Sequence, residues 1–371
     1  MKSLLQVSPA LGIAVVSIGC LIPASMPAQE PAAGTFTIIN ITGAGTAAYE
    51  GTVAESINAD GVIAGNYTDT NDVSHGWVRA ADGTITTFSY SGAGTGIGQG
   101  TGGCWGINAA GDIALNYIDS NNVYHGLLRT ASGAMHPFNA PGAGTTAGFG
   151  TFPESINATG TISGYFTDDS GVFHGFVRAT NGTFTIINAP GAGTASGQGT
   201  YIYGINNSGT TVGGWIDSTF GEHGMTVASN GTITNFDVPP DEGSYGYAIN
   251  TAGTATGNTW LSTQGASGAI VTPSGTVTNF NVTGAGTGGS QGTVGFGINT
   301  SGNVTGWYID SNTVYHGFLR TAAGAISRFN APGAGTTANQ GTYPVAIDSH
   351  SAIIGYFLDS SNVYHGFLYV P

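Results

Sequence analysis

Charge is scarce in this sequence: 7% of its 371 residues are Asp, Glu, Lys or Arg, against about a quarter in ordinary soluble domains. Lysine is scarcer still. Lys2 is the only one, and beyond residue 28 five arginines stand against twenty acids, 5 − 20 = −15. So acidic a chain offers no basic patch, which excludes nucleic acid and anionic membrane as partners. Cysteine is limited to Cys20 and Cys104. Only the second lies beyond the leader described next, which excludes an intrachain disulfide, and an unpaired exported thiol reads as a small buried apolar residue. No segment of useful length has an apolar period of 3.6, so helices are not expected.

Residues 1–28 carry Lys2, an apolar run from Ala10 to Leu21, and then Pro23, Ala24, Pro27 and Ala28. This is the pattern of a secretory signal peptide rather than a membrane span. Export to the periplasm or the cell exterior is therefore expected, with 29–33 as a short leader and 34–371 as a single domain. A lipoprotein signal would use Cys20, but Ser17 occupies the place where such signals usually carry leucine.

Glycine is the abundant residue, at 64, and it punctuates a repeat. An Ile-Asn pair recurs at Ile57-Asn58, Ile107-Asn108, Ile156-Asn157, Ile205-Asn206, Ile249-Asn250 and Ile298-Asn299, and ends as Ile347-Asp348, in steps of 50, 49, 49, 44, 49 and 49. Periods near 50 built from short strands mark propeller blades or stacked arrays. Each unit holds four strand-length segments, a to d, such as Phe152–Asn157, Thr161–Phe166, Val172–Arg178 and Thr183–Asn188, separated by Gly, Asn, Asp and Ser. Residues 34–40 repeat residues 182–188 letter for letter, so an extra d segment precedes the first unit while the seventh stops after c. Pairing the two closes a ring without an unfinished edge. The expectation is all-β: a seven-bladed β-propeller with four antiparallel strands per blade, its N-terminal strand completing the last blade.

Ile156-Asn157, Gly160, Gly164 and His174-Gly175-Phe176-Val177 recur in this spacing along nearly the whole chain beyond the leader. The units resemble the HAF-repeat family of extracellular bacterial proteins, with glycine in place of the family's alanine in all six His-bearing copies. The resemblance implies secretion and a repeated β architecture, and it implies no established reaction.

Six units place an aspartate six residues before a histidine: Asp69 and His75, Asp119 and His125, Asp168 and His174, Asp217 and His223, Asp310 and His316, Asp359 and His365. The fifth unit has Leu261 and Ser267. Carboxylate-oriented imidazoles can hold metals, but six equivalent sites around a ring cannot converge on one ion. The reading adopted is structural: Asp caps the b-to-c turn and His bonds backbone within the blade. The Gly-Ala-Gly-Thr loops between d and a lack the following helix and lysine of a phosphate loop, so positive φ at an interblade crossing explains them better. These loops and the Asp turns should share one face, the candidate binding surface.

Two features break the repeat. Pro239-Pro240-Asp241-Glu242 replaces the Gly-Ala-Gly-Thr loop before the fifth unit, and with Tyr245 and Trp260 it forms a candidate binding patch. On strand a, Glu55 and Glu154 occupy a position that holds Trp105, Tyr203, Tyr247, Phe296 or Val345 elsewhere, and they are the low-ranked catalytic candidates near the ring's centre. The leading expectation is a noncatalytic, exported, monomeric propeller that binds an extracellular polysaccharide, protein or other ligand through its loop face. A propeller hydrolase or lyase acting on carbohydrate and a purely structural surface protein are the alternatives. No cofactor is expected. A central calcium ion stays open, since the Asp turns could supply oxygens singly but form no recognisable calcium loop.

Overall fold

The computed structural model describes residues 34–237, 243–261 and 265–371. The expected signal peptide and short leader lie outside them, as do Asp241 and Glu242. Among the described residues there is no helix, and the strands fall into antiparallel sets of four. The third set is Gly150–Ile156, Ile162–Thr167, Phe173–Arg178 and Phe184–Ile187, each strand paired with the next. The expected four segments are thus present, with strand a beginning two residues earlier than the apolar pattern alone indicates.

Closure follows the expected route. Thr35–Ile39 lies antiparallel on Tyr364–Val370, from Thr35 opposite Val370 to Ile39 opposite Gly366. Neighbouring sets meet at the start of strand a, where one glycine pairs in parallel with strand c of the set before: Gly51 with Tyr364, Gly100 with Ser74, Gly199 with Phe173. Gly51 has φ of 118°, and a β-carbon there would run into the Tyr364 carbonyl, so only glycine fits both the conformation and the approach. The result is a closed, propeller-like ring whose apolar core lies between adjacent sheets. Ile39, Ala54, Ile63 and Trp77, for instance, pack with Val345 and Ile354 across the closing joint.

The glycine after the histidine has a packing cause in most sets. A β-carbon at Gly76, Gly126, Gly224 or Gly317, or at Gly268 after Ser267 in the fifth set, would strike the strand-d ring of Phe88, Phe138, Phe236, Phe329 or Phe280 respectively, and at Gly175 it would meet Ile202. Gly366 has no such ring against it.

The Ile-Asn marker is a rivet. Asn58 Nδ2 donates to the carbonyl of Asn108 at 3.0 Å, and the pattern continues through Asn157 to Asn206, Asn206 to Asn250, Asn250 to Asn299 and Asn299 to Asp348. Each Oδ1 meanwhile caps the a-to-b turn, as Asn58 does for Val62 N–H at 3.0 Å. Asp348 caps its turn in the same way but has no side-chain N–H to pass on, so the series stops at the joint between the last and first sets. Replacing Asn206 by alanine is expected to cost about 1–3 kcal/mol in urea denaturation. Asp348→Asn, by supplying the missing donor, should add roughly 0.5–1.5 kcal/mol. A neutral or destabilising effect of the second change would contradict the rivet.

Candidate binding chamber at the ring centre

The repeated Asp and His residues are consumed by the scaffold. Asp168 Oδ1 accepts the N–H groups of Ser170 and Val172 at the b-to-c turn, while its Oδ2 lies 3.3 Å from His174 Nε2. His174 Nδ1 reaches Asn188 Oδ1 at the end of strand d, at 2.8 Å. The imidazole thus ties the turn to the outermost strand. Its partners are side chains, a correction to the expected backbone bond. The same triad joins Asp69, His75 and Ser89; Asp119, His125 and Asn139; Asp217, His223 and Asp237; Asp310, His316 and Asn330; and Asp359, His365 and Asn40. An aromatic residue of strand b stacks on every one of these histidines, from Trp215 at 3.9 Å to Tyr67 at 4.9 Å between ring centroids. Burial raises the carboxyls of Asp69, Asp119, Asp168, Asp310 and Asp359, but the turn N–H groups and the imidazole outweigh it and hold them below the ordinary value.

The Gly-Ala-Gly-Thr loops do meet the b-to-c turns: Gly98 N–H donates to Asp72 O, and Gly148 N–H to Asn122 O. Positive φ appears at the first glycine in five of the six copies, Gly43, Gly142, Gly191, Gly284 and Gly333, and not at Gly92. On this face near the fifth set, Tyr245 and Trp260 lie 5.7 Å apart. Tyr245 also lies beside Glu222, whose carboxyl burial pushes up. Sequence reasoning did not single out Glu222, although the other sets carry Ser, Tyr, Phe or Ala there.

Glu55 and Glu154 come together in the centre. In each set the pairing of strand a with strand b slips by a residue: between Ala54 and Ser56, Pro153 and Ser155, Ile202 and Gly204, Gly246 and Ala248, Gly295 and Gly297, Pro344 and Ala346. The second set slips over a longer stretch, from Gly102 to Gly106. A bulge frees one residue from the ladder and re-aims its side chain. Those residues, Glu55, Trp105, Glu154, Tyr203, Tyr247, Phe296 and Val345, line a cavity of about 180 Å³. Beyond it the seven isoleucines of the Ile-Asn pairs form a collar, with the asparagines and Asp348 at the rim on the a-to-b side. The cavity therefore adjoins the face opposite the Gly-Ala-Gly-Thr loops.

Glu55 is 5% exposed. Its Oε2 accepts Cys104 N–H at 2.6 Å, and Asn66, with its amide nitrogen turned inward, donates to Oε1 at 2.8 Å. The Cys104 bond depends on an extra residue in the second strand a, Gly100–Ile107, where Gly103 has φ of 62°. The 50-residue first step was the signal for it. Burial pushes the Glu55 carboxyl up to about 8, with the Cys104 N–H holding it back. Glu154 is partly buried and accepts no hydrogen bond from a described residue; burial, and then the charge of Glu55, raise it well above the ordinary range. Cys104 itself is fully buried beside Glu55.

No protein-family model and no curated protein matches the sequence. Solved structures do. The BP39L lectin from Burkholderia pseudomallei superposes with a TM-score of 0.54 at 10% identity, over 85% of this chain and 94% of that one. Puromycin hydrolase gives 0.49 at 11% identity, over 86% of this chain and 53% of that one, so the chain spans about half its length. The fucose-specific lectin from Aleuria aurantia gives 0.41 at 11%, over 81% and 96%. The lectin BP39L shows the fold, a propeller-like ring, and at this identity nothing further.

A folded-state value raised from 4.5 to about 8 means that the native state binds more protons than the unfolded chain in that window. Glu55 should therefore contribute stability that is fully present below the lower value and is lost as pH rises from there through the upper one. Glu55→Gln retains the acceptor for Cys104 and removes the charge. It should melt higher than the parent at pH 8, by about 2–4 kcal/mol in stability, and match it near pH 4.5. Parallel melting curves across that range would contradict the burial of an ionisable Glu55.

Proposed function

We propose that the chain is an exported, seven-bladed β-propeller of the His-Gly-Phe repeat type, and that it binds a small extracellular ligand in its central chamber without catalysis. One observation carries this reading. The polar side chains that recur in the repeat are used up in turn caps, rivets and Asp-His triads, while strand a aims residues that differ from set to set into one chamber. A ligand site needs such convergence in a concave, largely apolar space with a few polar groups.

A carbohydrate-cleaving enzyme using Glu55 and Glu154 is the second reading, favoured by their presence in one cavity. Two considerations weigh against it. An acid and base pair needs environments that push the two carboxyls apart, whereas burial drives both of these upward. The chamber, about 180 Å³, is also smaller than the roughly 300–1,000 Å³ of common ligand pockets, and an oligosaccharide would not enter it. The lectin likeness makes sugars worth including as probes of the loop face near Tyr245 and Trp260.

Thermal melting of the parent and of Val345→Phe, which narrows the chamber, against small cations, neutral alcohols, anions and sugars separates these readings. The chamber reading expects a saturable rise of several degrees with a small compound, abolished in the variant. A shift that survives Val345→Phe would place the ligand elsewhere. Hydrolysis of a glycoside lost on Glu55→Gln and Glu154→Gln would establish the enzyme.

A further inference from the structure

Among the described residues Glu55 and Glu154 have no positive partner. Arg129, Arg178 and Arg320 lie over the rings of Phe88, Phe138 and Phe280 at 4.6, 4.7 and 5.0 Å. Arg328 donates to the Thr283 carbonyl. Among the described residues no lysine, arginine or histidine lines the chamber. The titratable groups around the pair are the Cys104 thiol and the phenols of Tyr165, Tyr203, Tyr247 and Tyr356, and the buried Arg129 acts on the Cys104 thiol but on neither carboxyl. Enclosing carboxyls without a counter-charge is costly. The fold does not demand it, since five of the seven sets put a ring or valine at the same bulge.

The rest of the wall matches the missing charge. Around the ring the order is Glu55, Trp105, Glu154, then Tyr203, Tyr247 and Phe296. Tyr203 and Tyr247 are 5.6 Å apart between centroids, and Tyr247 and Phe296 are 5.0 Å apart, so one side of the chamber is a continuous aromatic wall. The other holds Trp105 between the two acids. Aromatic rings attract cations, more strongly as solvent is removed. Glu154, without a hydrogen-bond donor, presents its carboxyl to the same space.

We propose that the chamber binds a small organic ammonium ion, its charge held by Glu154 with Glu55 behind it and its alkyl groups packed on Trp105, Tyr203, Tyr247 and Phe296. This rests on the chamber reading above and names its ligand class. A calcium ion seeks six to eight oxygens, and the chamber offers two carboxyls among rings, one of them already bonded to Cys104 and Asn66. An ammonium ion with alkyl groups uses both kinds of wall. Its path from the a-to-b face runs past the isoleucine collar, which sheds bulk water.

Titration calorimetry of the full chain tests this with choline, its neutral isostere 3,3-dimethyl-1-butanol and calcium chloride, at pH 6 and 8.5. Choline should bind saturably, more tightly at the higher pH and with uptake of protons by the buffer, because the carboxyls must ionise to receive it. The isostere should bind at least tenfold more weakly. Glu154→Gln should weaken choline at least tenfold while melting no lower than the parent. Equal affinity for the isostere, displacement of choline by calcium, or choline binding unchanged in Glu154→Gln would each overturn the assignment. If only neutral compounds bind, and Val345→Phe abolishes their binding, the ammonium assignment falls while the chamber reading stands. If none of the probes binds, both fall.

Discussion

Most inner strands are fixed at both ends to their neighbours. At one end a glycine, with positive φ at Gly51, Gly100, Gly150, Gly199, Gly292 and Gly341, pairs against the backbone of the preceding set; at the other an asparagine amide donates to the following set, Asp348 excepted. Between these anchors the strand bulges by a residue. With its ends pinned, a strand can accommodate the extra residue only by turning it out of the ladder, and the space inside the ring receives it. The chamber is thus a consequence of how the units interlock, and its chemistry is set by whichever residue each unit places at the bulge.

That constraint also explains why the most repetitive polar residues are poor guides to function. Asp168, His174 and Asn188 look like a catalytic or metal-binding set when read as residue types, yet the carboxylate caps a turn and the imidazole spans from it to the outer strand. Repetition around a ring signals a local task performed once per unit. A site for one ligand at the axis must instead be assembled from the positions at which units differ, and Glu55, Trp105 and Glu154 stand together against a run of rings on the far side.

Much of this was legible in the sequence. The phase shift between residues 34–40 and the truncated seventh unit foretold the pairing of Thr35–Ile39 with Tyr364–Val370, because identical segments in a closed repeat must find identical neighbours. The inward position of Glu55 and Glu154 could be read from alignment of the units alone. The roles of the Ile-Asn pair could not. Asparagine is an ordinary turn residue, and only the ring geometry makes its amide span two sets and its isoleucine a collar. Glu222 was hidden for a related reason: its contact with Tyr245 joins neighbouring sets, and no spacing within one unit encodes it. The glycine after the histidine at Gly76, Gly126, Gly224 and Gly317 likewise needs a ring from the adjacent strand before its cause is visible.

The most direct test of the account is a carboxyl-carbon NMR titration of the chain labelled at glutamate, of which it has six. With signals assigned through Glu55→Gln and Glu154→Gln, the account predicts that Glu55 titrates near 8 and Glu154 far above the ordinary glutamate range. Titration of both near the ordinary value of about 4.3 would mean that the carboxyls are solvated as on the surface, and would contradict an electrostatically unfinished centre.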